Sequence, residues 1–180
     1  MIISIENRVP VNSAEETELR QIFFKSSSVK KFNSEQEQEA FFQRWLGQYL
    51  SRFSDWTWLA CHGQNIVGYL VADPRTDENW NELNIPGMDL FHQHYEQYPV
   101  GLHINLDEKA RGQKLGERLV EKLVEKSLNA GLSGIHAITS VGVRNVNFYR
   151  KLHFLDVQIS SFKGHELLLM GRRLEENQHG

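Results

Sequence analysis

The order of apolar patterns along the chain predicts an α/β (α+β) fold, with a central mixed sheet flanked by helices. Three observations carry this expectation. Trp56 to His62 and Ile66 to Ala72 are strand-like runs around Gly63-Gln64-Asn65, which is a hairpin signal. Val100-Gly101-Leu102-His103-Ile104-Asn105-Leu106 alternates apolar and polar side chains, as a half-buried strand does. Directly after it, Leu115, Leu119, Val120, Leu123, Val124 and Leu128 recur at helical spacing.

Taken from the N-terminus, Ile2 to Val9 reads as a first strand with Ile3 and Ile5 on one face. Ser13 with Glu16 forms a capping-box pattern for a helix reaching about Phe24, and Ser34 with Glu37 repeats it for a second helix. That second helix carries Phe41, Phe42, Trp45, Leu46, Tyr49 and Leu50 as a broad stripe, read first as core and alternatively as a substrate wall. After the Gly63 hairpin, Asp73-Pro74-Arg75 ends the strand. A polar stretch from Thr76 to Gln97 follows, with a short helix near Asp89 to Tyr95. Beyond the long helix come a strand at Gly134 to Thr139 and a short helix at Asn145 to Leu152. A closing hairpin, Asp156 to Ser161 and His165 to Met170, then turns at Lys163-Gly164.

Composition narrows the function classes. The chain has 180 residues, 40% of them hydrophobic, which is enough for a core. A net charge of −3 gives no global basic field for nucleic acid, and Lys30-Lys31 is too short to read as a patch. Cys61 is the only cysteine, which excludes an intramolecular disulfide and suits a reducing, cytoplasmic setting. No apolar run approaches the length of a membrane span, so no membrane partner is expected. Asp89, His92, His94 and Glu96 lack a cysteine partner and metal-ligand spacing, so no metal is expected either. The charged face of the long helix (Glu117, Arg118, Glu121, Lys122, Glu125, Lys126) reads as solvated surface.

The segment with chemistry in it is Arg111-Gly112-Gln113-Lys114-Leu115-Gly116, a small-residue turn from strand into helix. Such a turn leaves backbone N–H groups and the positive end of a helix dipole facing open space, which suits a phosphate. It lacks the spacing of a Walker loop and the three glycines of a Rossmann fingerprint. Lys114 stands at its first helical turn as a further phosphate contact.

Taken with Asn145-Val146-Asn147-Phe148-Tyr149-Arg150-Lys151-Leu152-His153-Phe154, this loop resembles the GNAT acyltransferase superfamily. That family shows an Arg/Gln-x-x-Gly-x-Gly/Ala turn after its fourth strand and a later Phe-Tyr-x-Lys-x-Gly-Phe stretch. The resemblance runs from about Tyr98 to Val157. Tyr98-Pro99 and Leu102-His103-Ile104-Asn105 also resemble the acetyltransferase-like domain linked to O-GlcNAcase. Three positions depart from the family pattern. Lys114 and His153 stand where glycine is usual, and Gly142 stands where an asparagine is often found.

The resemblance implies a mostly antiparallel mixed sheet, splayed between its fourth and fifth strands, in a single domain over 1–180. Within it, 1–97 would supply the first strand, helices and acceptor side, and 98–157 the acyl-CoA-binding core. Residues 158–171 would be closing strands and 172–180 a flexible tail. It implies an N-acetyltransferase that carries an acetyl group from acetyl-CoA to an amine of a small molecule or protein by direct attack. The alternative is a non-catalytic module of the same fold that binds a protein or peptide. The state expected is monomer or homodimer.

The site residues implied are Arg111, Gly112, Gln113, Lys114, Leu115 and Gly116 for the pyrophosphate. Backbone N–H groups of Ile104, Asn105 and Leu106 would serve the carbonyl oxygen and the pantetheine arm, with Asn145, Phe148 and Tyr149 completing cofactor contact. Tyr149 is the expected acid for the departing thiolate. His103, on the opposite face of its strand from Leu102, Ile104 and Leu106, is the candidate base, with Asp73 its rival. Trp80, Phe91, Tyr95 and Tyr98 are candidates for an acceptor pocket, and Asp77, Glu78, Glu82 and Asp89 would suit a cationic amine.

Overall fold

The structure is a computed structural model that describes residues 3–7 and 11–175. Two compact units interleave along the chain: Met1–Ala72 with His103–Lys122, and Asp73–Leu102 with Leu123–Gly180. The seven strands are hydrogen-bonded in the order β1-β2-β3-β4-β5-β7-β6, antiparallel apart from the parallel β4–β5 pair.

The first unit opens with β1 (Ile3–Glu6), paired antiparallel with β2 (Thr57–His62). Of the rest of the expected first strand, Asn7 falls outside β1, and Ile2, Arg8 and Val9 lie outside the described residues. Helix α1 spans Ser13–Ser26, and its cap corrects the sequence reading by one residue. The Asn12 side chain, not Ser13, accepts from Ala14 N and Glu15 N at 3.0 Å each, while Glu15 returns a bond to Asn12 N at 2.9 Å. Two overlapping x-x-Glu patterns compete here. Asparagine caps at least as well as serine, and Glu16 is engaged by Arg20 at 2.9 Å one turn on.

Helix α2 (Glu35–Phe42) is capped by Ser34, whose Oγ accepts from Glu37 N at 3.1 Å. The stripe does not continue as one regular helix. A π-helical turn, Gln43–Gly47, precedes α3 (Gln48–Arg52), and Gln48 N donates to the carbonyl of Gln43. The extra residue rotates the succeeding turn by roughly 100°. Leu46 and Tyr49 are thereby buried while Trp45 stays half-exposed.

Strand β3 (Asn65–Asp73) returns from β2 through a two-residue turn with Gly63 at φ +65°. Strand β4 (Val100–Leu106) shares its residues between the units. Its second half sits close on β3: a Cβ at Gly68 would stand 2.3 Å from Leu106 Cδ2 and 3.1 Å from the Asn105 carbonyl. A side chain there would have to displace the Leu106 side chain and press on that carbonyl.

In the second unit, Thr76–Leu83 forms α4, a helix absent from the sequence reading. Its start is set by Asp73, whose Oδ1 accepts from Arg75 N (3.0 Å) and Asn79 Nδ2 (2.8 Å). The short helix expected near Asp89 is a 3₁₀ segment, Met88–His94. Val100 and Gly101 of β4 pair in parallel with Ile135 and His136 of β5 (Gly134–Ser140), two of the seven residues of β4. Between these strands in sequence runs α5 (Leu115–Asn129), which buries Leu115, Leu119, Val120 and Leu123 at helical spacing. Helix α6 (Asn145–Lys151) leads into β6 (Asp156–Phe162) and β7 (His165–Arg173). Lys163 and Gly164, at φ +47° and +82°, give the hairpin a turn of the type that matches strand twist. Arg172 and Arg173, expected in the tail, pair with Ile135 and Gly134 instead.

Candidate active site

In the first unit, β4 passes into the loop before α5 through a 3₁₀ turn at Glu108–Ala110. Asp107 fixes that exit. Its N–H donates to the Val67 carbonyl at 2.8 Å, its Oδ1 accepts from Lys109 N at 2.9 Å, and Lys25 Nζ reaches its Oδ2 at 3.2 Å. The Lys109 N–H holds the carboxyl below its usual range, with the Lys25 ammonium adding to the effect. Gln113 Nε2 braces the loop by donating to the Lys109 carbonyl at 3.3 Å.

The loop backbone is left-handed at two positions, Gly112 and Lys114. Gly112 lies at φ +79° with nothing within 4 Å of where a Cβ would stand, so the backbone is open to an approaching ligand. Arg111, Gly112, Gln113 and Lys114 are exposed, while Leu115 and Gly116 are buried. Lys114 is at φ +58° and its carbonyl accepts the first α5 bond, from Arg118 N at 3.1 Å. This accounts for glycine as the usual residue there. The position is left-handed, and lysine adopts the same backbone at a cost of about 1 kcal/mol. His153, the other departure from a usual glycine, is likewise left-handed at φ +64°. Ahead of Arg118, the N–H groups of the first α5 turn have no acceptor inside the helix.

The other face of β4 carries a hydrogen-bonded array. Asn105 Nδ2 donates to the Tyr69 hydroxyl at 2.8 Å and lies 3.3 Å from His103 Nε2. Tyr69 is fully buried, and burial pushes its hydroxyl pKa up. The His103 ring sits edge-on to both Phe23 and Tyr69, at 6.1 and 5.8 Å between centroids. Loss of hydration pushes its pKa down to about 4, against a smaller opposing effect of the Trp45 backbone carbonyl. His103 is therefore a neutral imidazole near pH 7. Tyr69 had no signature in the sequence, where it is one aromatic in a buried strand.

In the second unit, Tyr149 is 5% exposed on α6, against Phe148 and Phe154 at 5.3 and 5.4 Å. Burial pushes its hydroxyl pKa up, so it stays protonated at neutral pH. Asn145 Oδ1 accepts from Thr139 Oγ1 at 2.8 Å, which ties the start of α6 to β5. Phe148 is half-exposed.

The candidates for an acceptor pocket fare differently. Phe91, Tyr95 and Tyr98 are core residues at 1%, 0% and 2% exposure, and only Trp80 of the four is half-exposed. Tyr95 stacks on His136 at 4.9 Å and donates to the Met88 carbonyl at 2.6 Å, while the Tyr98 hydroxyl donates to Asp156. Polar tips with partners in the protein let these large rings be buried, which their surroundings in sequence did not reveal. Asp77 and Glu78 are likewise engaged, both by Arg75, at 3.0 and 2.5 Å. Asp73, the rival base, is 1% exposed and holds the start of α4. Among the described residues no group of three or more His, Cys, Asp or Glu could hold a metal ion, and no helix is long and apolar enough to cross a membrane.

The chain is similar over 97% of its length to the crystal structure of PH1933 from Pyrococcus horikoshii OT3, at TM-score 0.70 and 16% identity, covering 100% of that chain. It is similar to a chain of the NatC complex bound to Gag peptide and CoA, at TM-score 0.65 and 14% identity, over 97% of this chain and 100% of that one. It is also similar to the ribosomal-protein-S18-alanine N-acetyltransferase from Escherichia coli, at TM-score 0.59 and 10% identity, over 99% and 98%. At these identities the likeness is one of fold. No curated protein sequence matches the chain significantly. The model of the acetyltransferase (GNAT) family matches residues 17–154. With more than half of its length matched, the chain belongs to the GNAT acetyltransferase family.

Proposed function

We propose that the protein is an N-acetyltransferase that transfers an acetyl group from acetyl-CoA to a primary amine. The observation that carries this reading is the Arg111–Gly116 loop. Its exposed backbone, left-handed at Gly112 and Lys114, leads into the first turn of α5, whose N–H groups have no acceptor inside the helix. These residues fit a pyrophosphate. The lysine at the usual glycine position keeps the glycine-like backbone and directs an exposed cation to solvent, which supports retained rather than lost donor binding.

When bound, acetyl-CoA supplies an acyl thioester for attack by the amine. Arg111, Gly112, Gln113, Lys114, Leu115 and Gly116 hold the pyrophosphate, and Asn145, Phe148 and Tyr149 serve donor binding from α6. Backbone N–H groups of Ile104, Asn105 and Leu106 would hold the pantetheine arm and the thioester carbonyl oxygen. Tyr149 would be the hydrogen-bond donor to the sulfur. Its raised pKa, against roughly 8.5 for an ordinary thiol, favours a strong hydrogen bond to the thiolate over complete transfer of the proton.

His103 is the candidate base. With a pKa near 4 it is always in the accepting form, yet it holds a proton weakly, so it takes one in passing to solvent and does not store it. The test is release of free CoA thiol from acetyl-CoA in the presence of a panel of primary amines. Amine-dependent release supports the transferase reading. Donor binding without transfer to any amine would favour the non-catalytic module.

A further inference from the structure

Strand β6 ends the strand order and is paired only with β7. Its outer backbone edge and its apolar side chains belong to the same residues. The two-residue turn Lys163-Gly164 closes on the Phe162–His165 pair, and bonded pairs alternate with unbonded ones from there. Phe162, Ser160, Gln158 and Asp156 therefore bond to β7, while the backbone groups of Ser161, Ile159 and Val157 face outward. Ile159 is 62% exposed and Val157 36%, yet they lie beside Leu168 and Met170 of β7, which are buried. An apolar face thus runs off the edge of the sheet uncovered. Leu155, just ahead of the strand and 66% exposed, extends it.

Exposed strand edges are ordinarily guarded by a proline, a bulge or a charged side chain. Val157 to Phe162 contains no proline and no charge, and its register with β7 runs without a shift. The two ends of this edge are charged. Lys163 is exposed at the hairpin tip. At the other end a cavity of about 420 Å³ is lined by His153, Leu155, Asp156, Arg172, Arg173 and Glu175. There Arg172 donates to the Leu152 carbonyl at 3.0 Å and Arg173 faces Asp156 at 3.6 Å, so the exposed Glu175 is the carboxylate suited to a further cation.

We propose that the edge of β6 pairs antiparallel with the β6 edge of a second copy of this chain, about a twofold axis at Ile159. In that register Ile159 stands opposite itself and Val157 opposite Ser161 of the second copy. It alone pairs the three outward-facing residues with one another. A slip of two residues sets Ser161 or Val157 opposite a residue outside β6, and a slip of one turns the apolar side chains to the wrong face. The same register sets Lys163 of the second copy across from Leu155. Its stem covers that side chain and its ammonium enters the cavity beside Glu175. Twofold symmetry makes each contact occur twice, and the interface closes on itself, so the edge is covered and no fibre grows. A strand from an unrelated protein would find the backbone bonds without the matched charges at both ends. None of this depends on the acyl-transfer reading.

The experiment is analytical ultracentrifugation of the full chain over a micromolar dilution series. The wild type is expected to sediment at twice the mass of the chain. Ile159→Lys sets two ammonium groups face to face at the axis and should weaken association roughly hundredfold or more. Its circular dichroism should be unchanged, because the side chain is exposed. Lys163→Glu should weaken association a few-fold, and adding Glu175→Lys should restore it. Oxidation reads the register, since Cys61 is buried. Ile159→Cys should form a disulfide with its own copy, as residues opposite in a bonded pair lie within disulfide reach, and Val157→Cys should not. A monomer at every concentration, a dimer that persists unchanged in Ile159→Lys, or linkage through Val157→Cys in place of Ile159→Cys would overturn the proposal.

Discussion

His136 gives the protein an acid sensitivity whose size follows from its surroundings. It is 2% exposed, its Nδ1 lies 2.7 Å from the Tyr98 carbonyl, and its ring stacks on Tyr95. Burial lowers its pKa to about 4, against the weaker opposing pull of that carbonyl. Because the folded-state value lies below the unfolded value near 6.5, the unfolded chain binds a proton first as pH falls. The stabilisation from keeping this ring neutral is therefore present above about pH 6.5 and lost progressively toward pH 4.

The two pKa values imply a loss of about 2 kcal/mol between pH 7 and pH 5 from this residue alone. His103, with the same depressed value, acts with the same sign. Urea denaturation of wild type and His136→Gln at both pH values isolates the term. The variant is expected to lose about 2 kcal/mol less than wild type on acidification, whatever its stability at pH 7. Parallel losses in the two proteins would refute the assignment of a neutral buried imidazole at position 136.

Three further outcomes are expected. The acid limb of kcat/KM should follow a group titrating near pH 4, because His103 is already neutral at 6.5; a limb near 6.5 that vanishes in His103→Ala would contradict the described ring environment. Tyr149→Phe should lower kcat far more than it weakens acetyl-CoA binding, and unchanged turnover would remove Tyr149 from the donor role. Lys114→Gly and His153→Gly should each stabilise the protein by up to about 1 kcal/mol by relieving left-handed backbone. The greater freedom of glycine in the unfolded chain offsets part of that. Loss of stability in both variants would show that these residues are held by contacts that outweigh the strain.

Much of the fold was legible because long periodic runs dominate it. The β4 alternation, the α5 spacing and the two hairpins each follow from a single repeating pattern; the bounds of β4 match and those of the hairpin strands differ by at most three residues. What sequence could not show were features decided by competition or by distant partners. The α1 cap falls on Asn12 and not on Ser13, while Glu16 is engaged by Arg20 one turn on. Helix α4 depends on Asp73 reaching Asn79, six residues on, without a serine or threonine cap to announce it. The π-helical turn has no composition of its own. Tyr95 and Tyr98 were candidates for an acceptor pocket because the partners that bury them, His136 and Asp156, lie far along the chain.

The candidate site divides along the same line. The Arg111–Gly116 loop was visible because the role proposed for it belongs to backbone and small residues at fixed offsets. The array of Tyr69, Asn105 and His103 exists only once β3 and β4 are side by side, which Gly68 permits. Lys114 read in sequence as a departure from the family pattern. Its φ of +58° shows that the backbone shape survives the substitution.

The most direct test of the account is calorimetric titration with acetyl-CoA, wild type beside Gly112→Val. The wild type is expected to bind in the micromolar range, and the variant much more weakly, since valine is strained at φ +79° and fills the open approach to the loop. No binding by the wild type up to millimolar acetyl-CoA, or equal binding by the folded variant, would contradict the placement of the acyl donor on this loop.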